Sequence, residues 1–251
     1  MTFVLNADVA KRCLDVVDQG LVQGLGVPEP GKLCVEAAIC LALGLPHSDN
    51  PPCVGAAVRA FKIRLNDARW SSDQARTKGM RKLAIAQLGS DQIDQKAFRH
   101  IVAEQTIRQI VPIALRVAAS RNPKHADRLE AAAIRCEQEG TQAAAEAARN
   151  TARAARKEAY AYAYAVADAA ARAAAYTYAA AYADADADAD AVAAAYAVAA
   201  AYAAAYTYAD AYAAAAAARD RVLTVSADLA LAALIQLKSP GCEFLYLTGA
   251  A

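Results

Sequence analysis

Residues 141–239 contain neither glycine nor proline, so 99 consecutive residues lack the two strongest breakers of regular structure. Within this run, residues 159–218 comprise 37 Ala, 11 Tyr and 6 Asp, with six residues of other types. Alternation such as AYAYAYA at 159–165 has the period of a strand, but Ala is the best helix former and a poor strand former. The composition therefore predicts helix throughout this region.

A single helix of 99 residues would be about 150 Å long, which is too long for a compact domain. Four Asp alternate with Ala between Asp184 and Asp190, and each costs a helix roughly half a kcal/mol relative to Ala. We therefore predict a turn there and a long helical hairpin. Tyr side chains share a helix face at 160/164, 178/182, 202/206 and 208/212. Packing is the expected role of these rings, and a stacking platform for bases is the alternative.

Elsewhere glycine and proline separate shorter helical patterns. Helices are predicted over residues 6–24, 33–43, 54–69, 72–88, 91–121 and 220–238, and Pro112 is expected to kink or split the fifth. The apolar tail CEFLYLTGAA is expected to dock on the core as a strand or extended segment.

These elements predict an all-α protein in three parts. Residues 1–125 form a basic helical core, residues 126–219 the Ala/Tyr-rich hairpin, and residues 220–251 a helix and tail that return to the core. Ala-rich seams also predict self-association into a homo-oligomer. Residues 191–209 lack charges, but Ala contributes little to membrane insertion, so no membrane span is expected.

The net charge of +1 argues against a globally basic nucleic-acid-binding protein. The charge is distributed unevenly, however. Residues 1–125 contain 17 Lys and Arg against 11 Asp and Glu, whereas residues 126–251 contain 10 against 15. An anionic partner is therefore expected to meet the first half of the chain.

The segment from Arg59 to Lys82 concentrates this positive charge, with eight basic and two acidic residues around the only Trp. A helix start there can accept an anion, Arg can hold phosphate with two hydrogen bonds, and a Trp ring can stack on a base. These features predict a site for a small phosphate-bearing ligand such as a nucleotide, formed by Arg64, Arg69, Trp70, Ser71, Ser72, Arg76 and Lys78. Alternatively, the same helices bind nucleic acid, or they present a solvated basic face with Trp70 buried as an anchor.

The cysteines offer two further hypotheses. Cys34 near a helix start, followed by His47 and Asp49, suggests a Cys-dependent hydrolase, although small core thiols are the plainer explanation. Cys34, Cys40, His47 and Cys53 could supply four zinc ligands, but their spacing matches no common zinc module. Because no secretory signal precedes them, we expect reduced, metal-free thiols in a cytoplasmic protein. No phosphate-loop, dinucleotide, HExxH or GxSxG signature occurs, and no cofactor is expected.

The segments CVEAAICLALGLPH and RLNDARWSS, with SPGCEFL near the end, resemble uncharacterised hypothetical proteins of phage and metagenomic origin. That resemblance implies no catalytic residues, and it suggests that a phage-encoded binding protein could act by sequestering a signal. The sequence thus favours a non-enzymatic binding protein for a nucleotide-like ligand. The alternatives are a nucleic-acid-binding protein, a Cys-dependent hydrolase, and a structural or assembly protein.

Overall fold

The structure is a computed structural model, and it describes residues 4–158 and 209–249. These residues form nine α-helices and three 3-10 segments, and no strand occurs among them. The prediction of an all-α fold is confirmed. The described chain divides into two compact units: unit 1 combines residues 1–98 with 227–251, and unit 2 comprises residues 99–226. The boundaries expected after residues 125 and 219 both lie within unit 2.

Unit 1 is built on four helices from the first part of the chain. These are α1 (Ala7–Val17), α2 (Val35–Ala42), α3 (Ala56–Asn66) and α4 (Asp73–Ala86). Helix α1 packs on α2 and α4, and α2 also packs on α3. Apolar residues at helical spacing form the shared core, including Ala10, Cys13, Val17, Ile39, Val58, Phe61, Leu65, Met80 and Leu83.

Side-chain caps mark where helices α1 and α4 of unit 1 begin. Asn6 accepts a hydrogen bond from the Val9 amide at 3.0 Å, and Ser72 accepts one from the Ala75 amide at the same distance. Each cap satisfies one of the amide groups that a first helical turn leaves without a partner. Helix α1 is shorter than predicted, because the connector between α1 and α2 extends from Asp18 to Cys34.

Unit 2 contains a second group of helices, which follow residue 98 in the chain. Helix α5 (Gln95–Gln109) begins in unit 1 and is followed by α6 (Val111–Arg121), α7 (Ala126–Glu139) and α8 (Gln142–Glu158). Pro112 lies at the start of α6, so the long predicted helix is split there, as its missing amide requires. Helix α6 packs on both α7 and α8.

The last helix, α9 (Ala209–Gln236), ends before a 3-10 segment, Pro240–Thr248, which packs on α4 and α1. The expectation of a strand or extended tail is therefore wrong in conformation, although the segment does dock on unit 1. Gly241 and Ser239 bond to backbone carbonyls at the end of α4, and this contact favours a tight helical turn over an extended chain.

The predicted break at Asp184–Asp190 and all but one residue of the paired tyrosines lie outside the described residues. The remaining residue, Tyr212, belongs to α9. Among the described helices, none is long and apolar enough to cross a membrane.

Candidate functional site

Trp70, expected to offer a ring face to a base, lies inside unit 1. Only 7% of the residue is exposed, and its indole N–H donates to the Leu65 carbonyl at 2.9 Å. The edge of the ring packs against Gly79 of α4, where a larger residue would collide with it. The prediction of a stacking role for Trp70 is therefore corrected, because the ring anchors the α3–α4 turn from within.

Arg76, also expected at the ligand site, is 4% exposed and donates hydrogen bonds to backbone carbonyls within unit 1. Its Nε donates to the Asn66 carbonyl at 2.8 Å, and its Nη1 bonds to the Asp73 carboxylate. A guanidinium that is buried and hydrogen-bonded in this way has few donors left for a ligand. This second member of the predicted concavity is therefore structural as well.

Two more basic residues of this segment form ion pairs with acidic side chains of the protein. Lys62 is fully buried against Glu36, and Arg81 donates to both carboxylate oxygens of Asp18 at 2.5 and 2.7 Å. The start of α4 already carries the Ser72 cap and the carboxylate of Asp73. An acid in the first turn occupies the position where the helix dipole would favour a bound anion.

The other predicted ligand residues remain at the surface. Arg64, Arg69 and Lys78 are exposed, as are Ser71 and Ser72 at the turn. The structure thus supports the alternative in which this segment presents a solvated basic face with Trp70 as its buried anchor.

The candidate Cys-dependent triad is not assembled. Cys34 is buried at the start of α2, where its Sγ accepts a hydrogen bond from the Ala37 amide at 3.3 Å. Burial raises the pKa of Cys34 to about 11, which leaves the thiol protonated at neutral pH. His47 is exposed, and its Nε2 lies 3.3 Å from the Gly26 carbonyl oxygen. Cys34 and Asp49 do share the wall of one small cavity, but without a base beside the thiol they form no nucleophilic pair.

All six cysteines are free thiols, and five of them are buried. Within residues 4–158 and 209–249, no group of three or more His, Cys, Asp or Glu side chains is arranged to hold a metal ion. The four residues considered for zinc are therefore not gathered into a site.

A buried polar cluster lies in the core of unit 1. Glu36 and Lys62 are both 0% exposed, and Lys62 Nζ is 3.4 Å from Glu36 Oε1. Gln87 is equally buried, and neither its amide nor the Glu36 and Lys62 head groups form a well-directed hydrogen bond. Desolvation raises the pKa of Glu36 and lowers the pKa of Lys62, while their mutual attraction opposes both changes.

A cavity of about 30 Å³ lies at the start of α2, and Glu36 is the one residue of this cluster in its wall. Three acidic residues contribute to its wall, and the described lining is Gly24, Leu25, Cys34, Val35, Glu36, Asp49, Ile63, Asn66 and Asp67. Asn66 and Asp67 are already bonded to the backbone, because Asn66 Oδ1 accepts from the Val35 amide and Asp67 Oδ1 from the Gly24 amide. Both Glu36 carboxylate oxygens are buried without a well-directed hydrogen bond.

A larger cavity, of about 570 Å³, lies on α8 in unit 2. Its described wall consists of Asn150, Arg153, Ala154, Arg156 and Lys157. The spacing of residues 150, 153, 154 and 157 places them on one helix face. The buried residues of α8 are all alanines and occupy the opposite face, at positions 144, 145, 148, 152 and 155. Helix α8 thus packs through small residues and presents cations away from that contact.

Arg153 and Lys157 are exposed and form no ion pair with any described residue, whereas Arg156 already has an interaction partner. Arg149, at the edge of the same face, has an enclosed Nε without a hydrogen-bond acceptor. This face is therefore the described surface where several cations adjoin a cavity large enough for a small molecule.

Comparisons with protein-family models, curated proteins and solved structures found no match to this chain.

The buried cluster around Lys62 and the cationic face of α8 each correspond to a pattern in the sequence. The net charge of each half of the chain does not show these patterns. Lys62 lies between Val58 and Leu65 at helical spacing, which places it on the apolar face of α3. The cations of α8 recur in the segment RNTARAARK opposite regularly spaced alanines, but they belong to the half of the chain that is acidic overall.

Proposed function

We propose that this protein is a non-enzymatic binding protein for a small phosphate-bearing ligand, which it holds on the cationic face of α8. The observation that carries this proposal is the cavity of about 570 Å³ beside Arg153 and Lys157. Cavities of roughly 300–1,000 Å³ accommodate molecules of drug or nucleotide size.

The side chains on this face suit a phosphate group. Arg153 can donate two parallel hydrogen bonds to phosphate oxygens, and Lys157, one turn further along, adds a mobile point charge. Asn150 can contribute an amide donor, and the described wall of the cavity contains no acidic side chain. On this described face, a phosphate would thus meet donors and positive charge and no competing carboxylate.

The non-enzymatic part of the proposal rests on the chemistry of the thiols. Burial raises the pKa of every cysteine, to about 11 for Cys34 and to about 12 for Cys136 in unit 2. Protonated thiols are poor nucleophiles, and the cations on α8 bind anions without supplying a nucleophile or base. We therefore propose retention of the ligand, as a sequestering protein requires.

The test is calorimetric titration with ATP, inorganic pyrophosphate and adenosine. We expect ATP and pyrophosphate to bind and adenosine to bind far more weakly, because the phosphate supplies the charge. The double variant Arg153→Ala/Lys157→Ala should weaken binding about ten-fold or more, the usual effect of losing charged hydrogen bonds. Circular dichroism would establish that the variant remains folded.

The matched control is Arg64→Ala/Lys78→Ala, which removes the same types of cation from exposed positions of unit 1. Unchanged binding in this control supports the site on α8, whereas a loss confined to the control would return the site to the α3–α4 segment. The proposal is wrong if no phosphate compound binds, or if neither double variant changes the affinity. The cations would then serve only to stabilise the end of α8. Affinity that rises with oligonucleotide length and falls steeply with salt would instead indicate a nucleic-acid-binding protein.

A further inference from the structure

Three basic residues recur at every fourth position along α8 and form a cation row. Arg149, Arg153 and Lys157 share one side of the helix, and about 6 Å of helix axis separates each from the next. None of the three forms an ion pair with any described residue. Like charges four residues apart repel one another and destabilise a helix. The cation row thus holds three positive charges that no described side chain balances.

The described acidic residues closest to the cation row in the chain do not cancel its charge. Glu158 is bonded to Lys124 of the 3-10 segment before α7, and the His125 Nε2 lies 3.3 Å from the same carboxylate oxygen. Glu146 lies before the cation row, on the same side of α8, and is exposed. Its negative charge marks the end of the row at which an extended anion would be repelled.

The number of cations bears on how many phosphate groups the site can bind. A phosphate monoester carries about −1.5 to −2 charges at pH 7, which two of the three cations already balance. Each further phosphate group in a chain adds an ionised oxygen, and neighbouring groups share one bridging oxygen. The cavity of about 570 Å³ beside Arg153 and Lys157 has room for such a compact chain.

We propose, on the basis of the function proposed above, that the α8 site selects a chain of linked phosphate groups and that its ligand is a triphosphate. The chain lies along the helix, with its far end at Arg149. The Nε of Arg149 is enclosed without an acceptor, so this side chain meets the ligand through its terminal nitrogens. A monophosphate would leave one of the three cations without a counter-charge.

The test compares inorganic phosphate, pyrophosphate and tripolyphosphate by calorimetric titration at constant ionic strength, without divalent cations. These anions carry neither base nor sugar, so they isolate the contribution of the phosphate chain. We expect the dissociation constant to fall on the order of ten-fold with each added phosphate group, as one further charged hydrogen bond would produce. Arg149→Gln should remove only the last step, weakening tripolyphosphate binding about ten-fold and changing pyrophosphate binding by less than about two-fold.

The matched control is Arg128→Gln, at an exposed arginine of α7 outside the described cavity wall. It should change none of the three affinities, and a loss as large as that in Arg149→Gln would show that net charge alone sets the affinity. Equal affinities for the three anions, or a length dependence that Arg149→Gln leaves unaltered, would overturn the inference while the site at Arg153 and Lys157 stands. If none of the three anions binds, the proposed function itself is wrong.

A second variant keeps the test decisive if circular dichroism shows that Arg149→Gln does not fold. Glu146→Gln removes the negative charge before the cation row without removing a phosphate donor. It should raise the affinity for tripolyphosphate more than the affinity for pyrophosphate, because the longer chain extends further toward residue 146. An equal change for the two anions would contradict a chain that lies along α8.

Discussion

Trp70 anchors the α3–α4 turn through one hydrogen bond and a close contact with α4. The indole N–H satisfies the Leu65 carbonyl, and the far edge of the ring rests on Gly79. The absence of a side chain at position 79 is what allows the ring to approach the helix backbone so closely. The two residues are therefore expected to act as a pair.

We predict that Gly79→Ala destabilises the protein, although alanine is the better helix former. Helix propensity favours the substitution by about 1 kcal/mol, but the added methyl meets the Trp70 ring, and overpacking of a core costs about 1–3 kcal/mol. Urea unfolding should show a net loss of stability. In a Trp70→Phe background, where the ring is smaller, the same substitution should become neutral or stabilising, and a loss of equal size there would contradict the paired role.

The thiols give a second test at the level of single residues. Cys242 is the half-buried cysteine, whereas the other five are buried. With a thiol-specific reagent under native conditions, we predict that Cys242 reacts first and that Cys242→Ala abolishes the fastest phase. Its reaction should still be slow, because burial raises the pKa of Cys242 to about 11. Preferential labelling of Cys34 would revive the hydrolase hypothesis.

The C-terminal end of helix α7 is capped by a side chain from α5. Arg108 of α5 donates to the carbonyls of Glu137, Gln138 and Glu139 at 2.8, 2.7 and 2.9 Å. These carbonyls belong to the last turn, which has no helical amides left to accept from. Gly140 follows with φ of 61°, a left-handed conformation that suits glycine, and its small size also leaves room for the Arg108 side chain.

We predict that Arg108→Ala lowers the unfolding free energy by about 1.5–3 kcal/mol, as expected for lost charge-assisted hydrogen bonds in a partly buried setting. Arg108→Lys should recover only part of this loss, since lysine lacks the planar fork. The matched control is Arg135→Ala, which removes an exposed pair with Glu139 four residues away and should cost about 0.3–0.5 kcal/mol. Similar effects of Arg108→Ala and Arg135→Ala in chemical unfolding would contradict the capping role.

Sequence patterns predicted the helices better than the roles of individual residues. Periodicity and punctuation place α1 to α6, and Pro112 marks a true break, because these signals depend on neighbours in the chain. The functional assignment of Trp70 fails for a different reason. Its environment depends on Leu65 and Gly79 brought together by the turn, and an aromatic residue among cations looks the same in sequence whether its ring is exposed or enclosed.

At the scale of the whole molecule, six thiols share one electrostatic property. Burial raises the pKa of each from 9.0 to about 11 or about 12. In the unfolded chain they ionise near pH 9, whereas in the folded protein they stay protonated. Their contribution to stability is therefore complete below pH 9 and is lost as the pH rises through about 11–12.

We predict that stability falls above pH 9 and that Cys13→Ala flattens this dependence. The Cys13 pKa of about 12 implies a contribution to the unfolding free energy that shrinks by about 1.4 kcal/mol between pH 7 and pH 10. Urea unfolding of both proteins at several pH values measures the difference. At pH 7, the difference in unfolding free energy between the two proteins reports the packing lost with the thiol. A difference that stays constant up to pH 10 would rule out ionisation as the cause.

The 3-10 segment Pro240–Thr248 closes unit 1 late in the life of the nascent chain. Ser239 donates to the Ala86 carbonyl across a separation of 153 residues, and the Gly241 amide donates to the Leu88 carbonyl. At about 5–20 residues per second, a ribosome needs roughly 8–30 s to synthesise the intervening chain. During that interval the Ala86 and Leu88 carbonyls lack the donors that they have in the folded protein. The N-terminal segment of unit 1 is thus translated long before the segment that completes the same unit.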